Sequence, residues 1–318
     1  MLKDRTTRVA LLGGAAWVLL LILARTGLLA VTLAEQIFLL APLVILPLGL
    51  RLVDAGTPVH PDERLHLAVM GIQPFCAFCA CASFFLPKGV WAGLLAGVWF
   101  IYTGLVALLG VNHLLAGGRR RLADVCVDAG LIFLSVGGVW FLLTRFGKTP
   151  AGFSETIVLL TAVHFHFAGF AAPILVGLAG RRLTAASHAM RRLYRIVAIG
   201  VMVGVPFVAV GISVGGLLEL LAAFFLATTL GLVAYPLVVL VRTVLTHRVV
   251  RGLVVVSAVS VVVGMVFAYV YAYSVFTGHA LIGIPGMVAS HGLINAFGFA
   301  LCGLLGWHLF YLKEQVSS

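Results

Sequence analysis

The chain has 318 residues, of which 62% are hydrophobic and only 10% are charged, whereas soluble proteins carry about 25% charged residues. This composition excludes a soluble globular protein and a disordered chain, because no segment is polar enough to remain in water by itself. The net charge of +11 arises from basic residues in short loops between apolar runs, where they act as topology signals. We therefore expect a protein that contacts the lipid bilayer and binds no nucleic acid.

Ten apolar segments are long enough to cross a bilayer, which takes about 20 residues per helix. They are apolar on every face, so they predict an all-α polytopic membrane helical bundle and not a β-barrel. We predict one transmembrane domain over residues 1–318, divisible into sub-bundles 1–150 and 151–318. In chain order, the predicted spans are 8–24, 30–52, 66–86, 89–115, 122–145, 154–180, 193–213, 215–242, 251–276 and 284–312.

The distribution of basic residues predicts the orientation. All but four of the 21 Lys and Arg residues lie on one side of the ten-span arrangement, and the exceptions are Arg25, Lys88, Arg145 and Lys148. Because cytoplasmic loops carry the excess of Lys and Arg, we predict that both termini are cytoplasmic, in a multi-pass protein of the inner (plasma) membrane. This arrangement requires a very short outer turn at residues 213–217.

The sixth predicted span contains two histidines near the middle of the membrane. Ionisable side chains cost about 2.5–3.5 kcal/mol there, so each one marks a candidate site. At roughly 100° per residue, one helical stripe carries Glu155, His166, Gly169 and Pro173, while His164 points about 200° away from His166. We therefore predict that one histidine lies at a site and the other packs against a neighbouring helix. The alternative for each is a core histidine bonded to a backbone carbonyl.

The tenth predicted span repeats this pattern, since one stripe carries His291, Asn295, Gly298 and Cys302. Small residues let membrane helices approach closely, and polar side chains form hydrogen bonds across such contacts. We predict that Asn295 lies at a depth similar to that of His166. The alternative for both polar residues of this stripe is a purely structural interhelical hydrogen bond.

Acidic residues collect at two places. Glu35, Glu155 and Glu219 lie at the predicted outer ends of spans two, six and eight, where a carboxyl group shielded from water can donate a proton near neutral pH. Glu155 has a structural alternative, because an acid beside Ser154 stabilises a helix N-terminus. Asp124 and Asp128 lie at the predicted cytoplasmic end of span five, where we expect them to pair with the arginines at 119–121.

Two segments carry a resemblance to a known family. The segments "TAVHFHFAGFAAPIL" (161–175) and "HGLINAFGFALCGLLGW" (291–307) resemble those of the bacterial YndJ-like family of polytopic membrane proteins. That family has a His-x-His-φ-Ala-Gly-Phe segment and a later His-Gly-x-x-Asn-Ala-x-Gly-Phe segment. The resemblance implies a polytopic membrane protein in which His164, His166, His291 and Asn295 act together.

Our preferred interpretation is an integral membrane enzyme that performs acid–base chemistry on a lipophilic small molecule in the outer half of the bundle. The reaction is an isomerisation, cyclisation, hydration or epoxide opening, without a metal or another cofactor. His166 or His291 acts as the acid or base, a glutamate orients it or supplies the proton, and Asn295 polarises a substrate oxygen. The predicted catalytic set is His164, His166, His291, Asn295, Glu155 and Glu219.

Two other functions fit the same residues. One is a proton-coupled secondary transporter that uses a His/Glu site at the membrane midplane. The other is a haem or metal protein with axial imidazoles from spans six and ten. The sequence carries no signal for an oligomeric state.

Overall fold

The computed structural model describes residues 2–53, 63–116, 120–183 and 187–317. Within these ranges the chain forms helices and no strand, and ten helices are long and apolar enough to cross a membrane. This confirms the predicted all-α polytopic bundle. The spans, numbered in chain order, are Thr7–Arg25, Leu33–Val53, Glu63–Phe85, Val90–Leu115, Leu122–Phe146, Glu155–Arg182, His188–Val214, Gly216–Thr243, Arg248–Thr277 and Ile284–Glu314.

Most span ends lie within three residues of the prediction, and the largest difference is at the start of span 7. The helix begins at His188, whereas the sequence predicts a start at residue 193. The first turns carry Arg191, Arg192 and Arg195. Such side chains extend a helix past the hydrocarbon into the interface, while hydropathy marks only its apolar part.

The predicted short turn between spans 7 and 8 is present. The first helix ends at Val214 and the next begins at Gly216. Gly215 and Gly216 have φ angles of 80° and 61°, a region that residues with a side chain rarely adopt. Two adjacent glycines therefore reverse the chain with almost no loop.

Three spans contain π-helical segments, in which the backbone hydrogen bond reaches one residue further than in an α-helix. These segments are Ala41–Ile45 in span 2, Phe165–Ala171 in span 6, and Val288–Gly292 with Ile294–Leu301 in span 10. Stripes drawn at the α-helical angle therefore do not continue past His164 in span 6. In span 2 the segment contains Pro42, and the Gln73 side-chain amide donates a hydrogen bond to the Pro42 carbonyl at 2.8 Å.

Contacts divide the chain into two compact units, the first comprising Met1–Arg120 and Asp128–Ala171 and the second Arg121–Val127 and Ala172–Ser318. The core of the first unit includes the stacked rings of Phe38 and Phe141, 4.3 Å apart. In the second unit, spans 9 and 10 pack through small residues. Spans 5 and 6 each contribute to both units, so this division falls elsewhere than the predicted sub-bundles 1–150 and 151–318.

Each unit contains a carboxylate paired with basic side chains at the predicted cytoplasmic end. In the first unit, Asp128 contacts His113 at 3.0 Å and Arg120 at 2.5 Å. In the second unit, Asp124 contacts both Arg121 and Arg181 at 2.9 Å, and its hydrogen bond raises the pKa of the Arg121 guanidinium. The predicted pairing with residues 120 and 121 is confirmed, and Arg119 lies outside the described residues.

Candidate functional site

His166 lies in the core of the first unit, and both of its ring nitrogens form hydrogen bonds. Its side chain is buried, with 1% of the residue exposed. Nδ1 lies 2.8 Å from the Ala162 carbonyl oxygen, and Nε2 lies 3.0 Å from the Trp99 indole Nε1. Since the carbonyl only accepts and the indole only donates, this imidazole is neutral with its proton on Nδ1. Both ring nitrogens are therefore already bonded to protein groups.

Two residues that no sequence motif indicates hold the His166 ring in place. Trp99, in span 4, supplies the donor to Nε2. Gly137, in span 5, leaves room for the ring, because a Cβ there would lie 2.7 Å from His166 Nδ1. Neither residue is near His166 in the chain, so no local pattern could have identified them.

The hydrogen bond from Trp99 predicts a measurable loss of stability. We expect Trp99→Phe to lower the free energy of unfolding by about 1–2 kcal/mol, through the lost hydrogen bond and the smaller core ring. Denaturation with SDS in mixed micelles measures this loss. Trp91→Phe is the matched control in the same helix, because Trp91 is 74% exposed. Equal stabilities of the two variants would contradict a structural role for the bond.

Glu155 and His164 lie away from this buried position. Glu155 is exposed and forms an ion pair with Lys88 at 2.5 Å, while Ser154 accepts the capping hydrogen bond from Ile157 N–H. Eleven residues separate Glu155 from His166, or roughly 16 Å of helix. The His164 side chain is also exposed and donates from Nδ1 to the Leu160 carbonyl at 2.8 Å. The predicted Glu155–His166 stripe is therefore not one buried site.

The second unit holds the other predicted pair. His291 Nδ1 lies 2.8 Å from the Gly264 carbonyl oxygen of span 9, and Asn295 Nδ2 donates to the His291 carbonyl at 2.8 Å. Asn295 Nδ2 is also 3.3 Å from His291 Nδ1. The shorter contact to a pure acceptor assigns the proton to Nδ1, which leaves the lone pair on Nε2. Both side chains are half-buried.

Small residues bring spans 9 and 10 together around this pair. A Cβ on Gly264 would overlap the Asn295 side-chain amide, and a Cβ on Gly298 would overlap the Ser260 hydroxyl. Deeper in the same contact, the Ser257 hydroxyl donates to the Phe299 carbonyl at 2.8 Å. Three members of the stripe predicted on span 10, His291, Asn295 and Gly298, thus pack against span 9.

The remaining predicted acid, Glu219, is half-buried in the first turn of span 8. The partial positive charge of a helix N-terminus favours a carboxylate at this position. It lies in the same unit as His291 and Asn295. His166 belongs to the other unit, and the hydrogen bonds given above for the two groups each stay within one unit.

The haem or metal interpretation requires side-chain nitrogen, oxygen or sulfur atoms that are available to bind a metal. His166 has no open ring nitrogen in this arrangement, since one donates to Ala162 and the other accepts from Trp99. Among the described residues, no three His, Cys, Asp or Glu side chains are close enough to hold a metal ion together. His166 therefore could ligate an iron or another metal only after losing its bond to Trp99.

The chemistry available at the second pair is different. With the proton assigned to Nδ1 by its contact with the Gly264 carbonyl, the basic nitrogen of His291 is Nε2. The Asn295 amide uses Nδ2 towards the His291 backbone and keeps Oδ1 as an acceptor. Oδ1 can accept from a substrate hydroxyl, and the second hydrogen on Nδ2 is the group that could polarise a substrate oxygen, as expected from the sequence.

Comparison with known proteins agrees with this architecture. Residues 36–299, a range that contains His166, His291 and Asn295, match the family described as YndJ-like protein. The chain is 30% identical over 281 residues to the "Uncharacterized membrane protein YndJ" of Bacillus subtilis (strain 168). The aligned region covers 88% of this chain and 49% of that protein. It therefore spans about half the length of that relative. No solved structure matches the chain. The chain is an integral membrane protein and belongs to the YndJ-like family.

Proposed function

We propose that this protein is an inner-membrane enzyme that performs acid–base chemistry on a lipophilic substrate at His291 and Asn295. The reaction class is isomerisation, cyclisation, hydration or epoxide opening. The observation that carries the proposal is the hydrogen bond from His291 Nδ1 to the Gly264 carbonyl. It holds the ring in one tautomer, with the basic nitrogen on a half-buried side chain inside an apolar span.

A fixed tautomer is what general acid–base catalysis requires of an imidazole. The backbone carbonyl orients the ring, so Nε2 can take a proton from a bound substrate and return it at another position. Asn295 supplies a hydrogen-bond acceptor beside it. We assign the supply or orientation of the proton to Glu219, an acid of the same unit at the start of span 8. The wider set, which adds His164, His166 and Glu155, stays a prediction.

The depth of His291 indicates the class of substrate. It lies seven residues after Ile284, the first residue of span 10, or roughly 10 Å along the helix. A group at that depth is surrounded by hydrocarbon, so the molecule that reaches it from the bilayer is lipophilic. Span 9, which His291 contacts, carries exposed apolar side chains, including Val259, Val262 and Val266, as expected of a helix in contact with lipid.

The test compares two asparagine variants of the full chain in nanodiscs. His291→Asn keeps a side-chain N–H that can bond to the Gly264 carbonyl but has no titratable nitrogen, whereas His279→Asn makes the same change at an exposed loop residue. Untargeted mass spectrometry of incubated lipid extracts should find a product with the wild type and with His279→Asn. We expect conversion to fall by about 10²-fold or more with His291→Asn. Equal conversion by all three proteins would reject His291 as the base.

One observation favours a transporter as the second candidate. Spans 2, 6 and 10 all contain π-helical segments, and interrupted helices near the midplane are common at transport sites. Here the exposed His164 would relay protons. Proton-coupled solute uptake by proteoliposomes, without conversion of any lipid, would favour this function over the enzyme.

A further inference from the structure

The first unit contains a cavity of about 360 Å³ that the function proposed above does not use. It lies where the ends of spans 1, 2, 3 and 5 meet, on the predicted outer side. Apolar side chains, among them Leu28, Phe84 and Phe85, form one part of its wall, and Glu35, Lys88 and Arg145 contribute charged groups. Its volume is in the range of small-molecule pockets.

Arg145 is a buried cation whose hydrogen bonds are incomplete. The residue is 3% exposed, and its Nη2 donates to the Ser83 and Leu86 carbonyls at 2.8 and 2.9 Å. Its Nη1 is 4.0 Å from the Glu35 carboxylate, which is beyond hydrogen-bond distance. Among the described residues, its Nε has no hydrogen-bond partner. Nε therefore lacks an acceptor, and Nη1, which lies on the other side of the guanidinium from the Nε–H, has only the distant Glu35 carboxylate.

Glu35 does not fill that role because it is engaged elsewhere. Its Oε2 accepts hydrogen bonds from the Thr32 backbone N–H at 2.7 Å and from the Thr32 hydroxyl at 2.9 Å. The bond from the Thr32 N–H, together with the bond from the Glu35 N–H to the Thr32 hydroxyl, forms the capping box of span 2. The carboxylate thus stabilises a helix N-terminus and only partly balances the charge of Arg145.

Lys88 adds a second cation at the rim. Its ion pair with Glu155 joins side chains that are 37% and 61% exposed, and pairs of this kind contribute little to stability. The lysine can therefore exchange its partner for a ligand at small cost. Lys88 and Arg145 are also two of the four basic residues on the predicted outer side, where the orientation of the protein does not explain them. Binding an anion would explain their position.

We propose that this cavity binds an amphiphile with a carboxylate or phosphate group. One oxygen of the anion would accept a hydrogen bond from Arg145 Nη1, with Lys88 as a second contact. The alkyl part would lie along Leu28, Phe84 and Phe85. Anionic phospholipids and free alkyl phosphates share this chemistry, and basic pockets among membrane helices bind lipid head groups.

Two measurements on the full chain distinguish the sources. Native mass spectrometry tests whether phosphatidylglycerol stays bound to protein purified from nanodiscs that contain it. Titration of octyl phosphate, with octanol as the uncharged comparison, tests free amphiphiles in phosphatidylcholine nanodiscs. Selective retention of phosphatidylglycerol identifies a lipid site, and selective binding of octyl phosphate identifies a site for free amphiphiles. Either result supports the proposal.

Three variants make the test specific. Ala30→Trp fills the cavity from its wall while leaving every contact of Arg145 in place, and we expect it to abolish binding. Lys88→Gln should weaken binding about tenfold, as expected for one charge-assisted hydrogen bond. Lys148→Gln removes an exposed cation outside the cavity wall and should have no effect. Wild-type affinity in Ala30→Trp, equal losses in the two lysine variants, or equal binding of octanol and octyl phosphate would overturn the proposal.

Discussion

Replacing Asp128 by alanine should lower the free energy of unfolding by about 3–5 kcal/mol, as is typical when one partner of a buried ion pair is removed. Asp128 is 1% exposed. One carboxylate oxygen contacts His113 Nδ1 at 3.0 Å and the other contacts the Arg120 guanidinium at 2.5 Å. Alanine would remove the carboxylate from a buried imidazole and from a half-buried cation, which would keep only its bond to the His113 carbonyl. Restoring water to those groups requires the helices to separate.

The comparison for Asp128→Ala is the removal of an exposed pair. Glu155→Gln breaks the contact with Lys88, and we expect it to cost less than about 1 kcal/mol. Asp128→Asn keeps an acceptor oxygen but no charge, and should fall between the two. SDS denaturation followed by circular dichroism gives all three values. A loss for Asp128→Ala no larger than that for Glu155→Gln would show that burial does not strengthen the pair.

Gly13→Ala should also destabilise the protein, by about 1–3 kcal/mol or more. A Cβ at Gly13 would overlap the Leu43 backbone carbonyl of span 2, and would lie 2.8 Å from its carbon atom. A backbone group cannot rotate away as a side chain can. Span 1 would therefore have to move off the π-helical segment of span 2, with loss of the contacts between them.

The adjacent residue is the control for this substitution. Gly14 lies in the same helix, and a Cβ there would meet nothing within 4 Å. Alanine favours a helix over glycine by about 0.5–1 kcal/mol, so Gly14→Ala should leave stability unchanged or raise it. Thermal unfolding in detergent compares the two variants directly. Equal transition temperatures would mean that spans 1 and 2 do not approach each other closely at Gly13.

The Lys and Arg residues of the sequence indicate the orientation of the protein, and two of them also line a cavity. Their excess on one side fits a ten-span arrangement, and the described residues form ten helices long and apolar enough to cross a membrane. For the four basic residues on the other side, the sequence indicates no role besides orientation. Burial of Arg145 and its position in a cavity wall could not be inferred, because they depend on spans 2 and 3 as well as on span 5.

For the candidate histidines, too, the sequence indicated the residues but not their partners. Their residue type and depth identified His166 and His291 as polar groups in an apolar environment. Their partners, Trp99 and the Gly264 carbonyl, are 67 and 27 residues away in the chain. The stripe predicted on span 6 requires a regular α-helix, whereas the π-helical segment Phe165–Ala171 changes the direction of the side chains.

The number of spans, their approximate ends and the family were determined by the sequence alone. Crossing a bilayer depends on the transfer of about 20 consecutive side chains into hydrocarbon, which is a local property that composition records. Only the tertiary structure decided which imidazole is fully bonded, which carboxylate is exposed and which arginine lacks an acceptor. Hydrogen bonding and burial depend on neighbours from other helices, and close approach of those helices depends on glycines whose packing partners are distant in the chain.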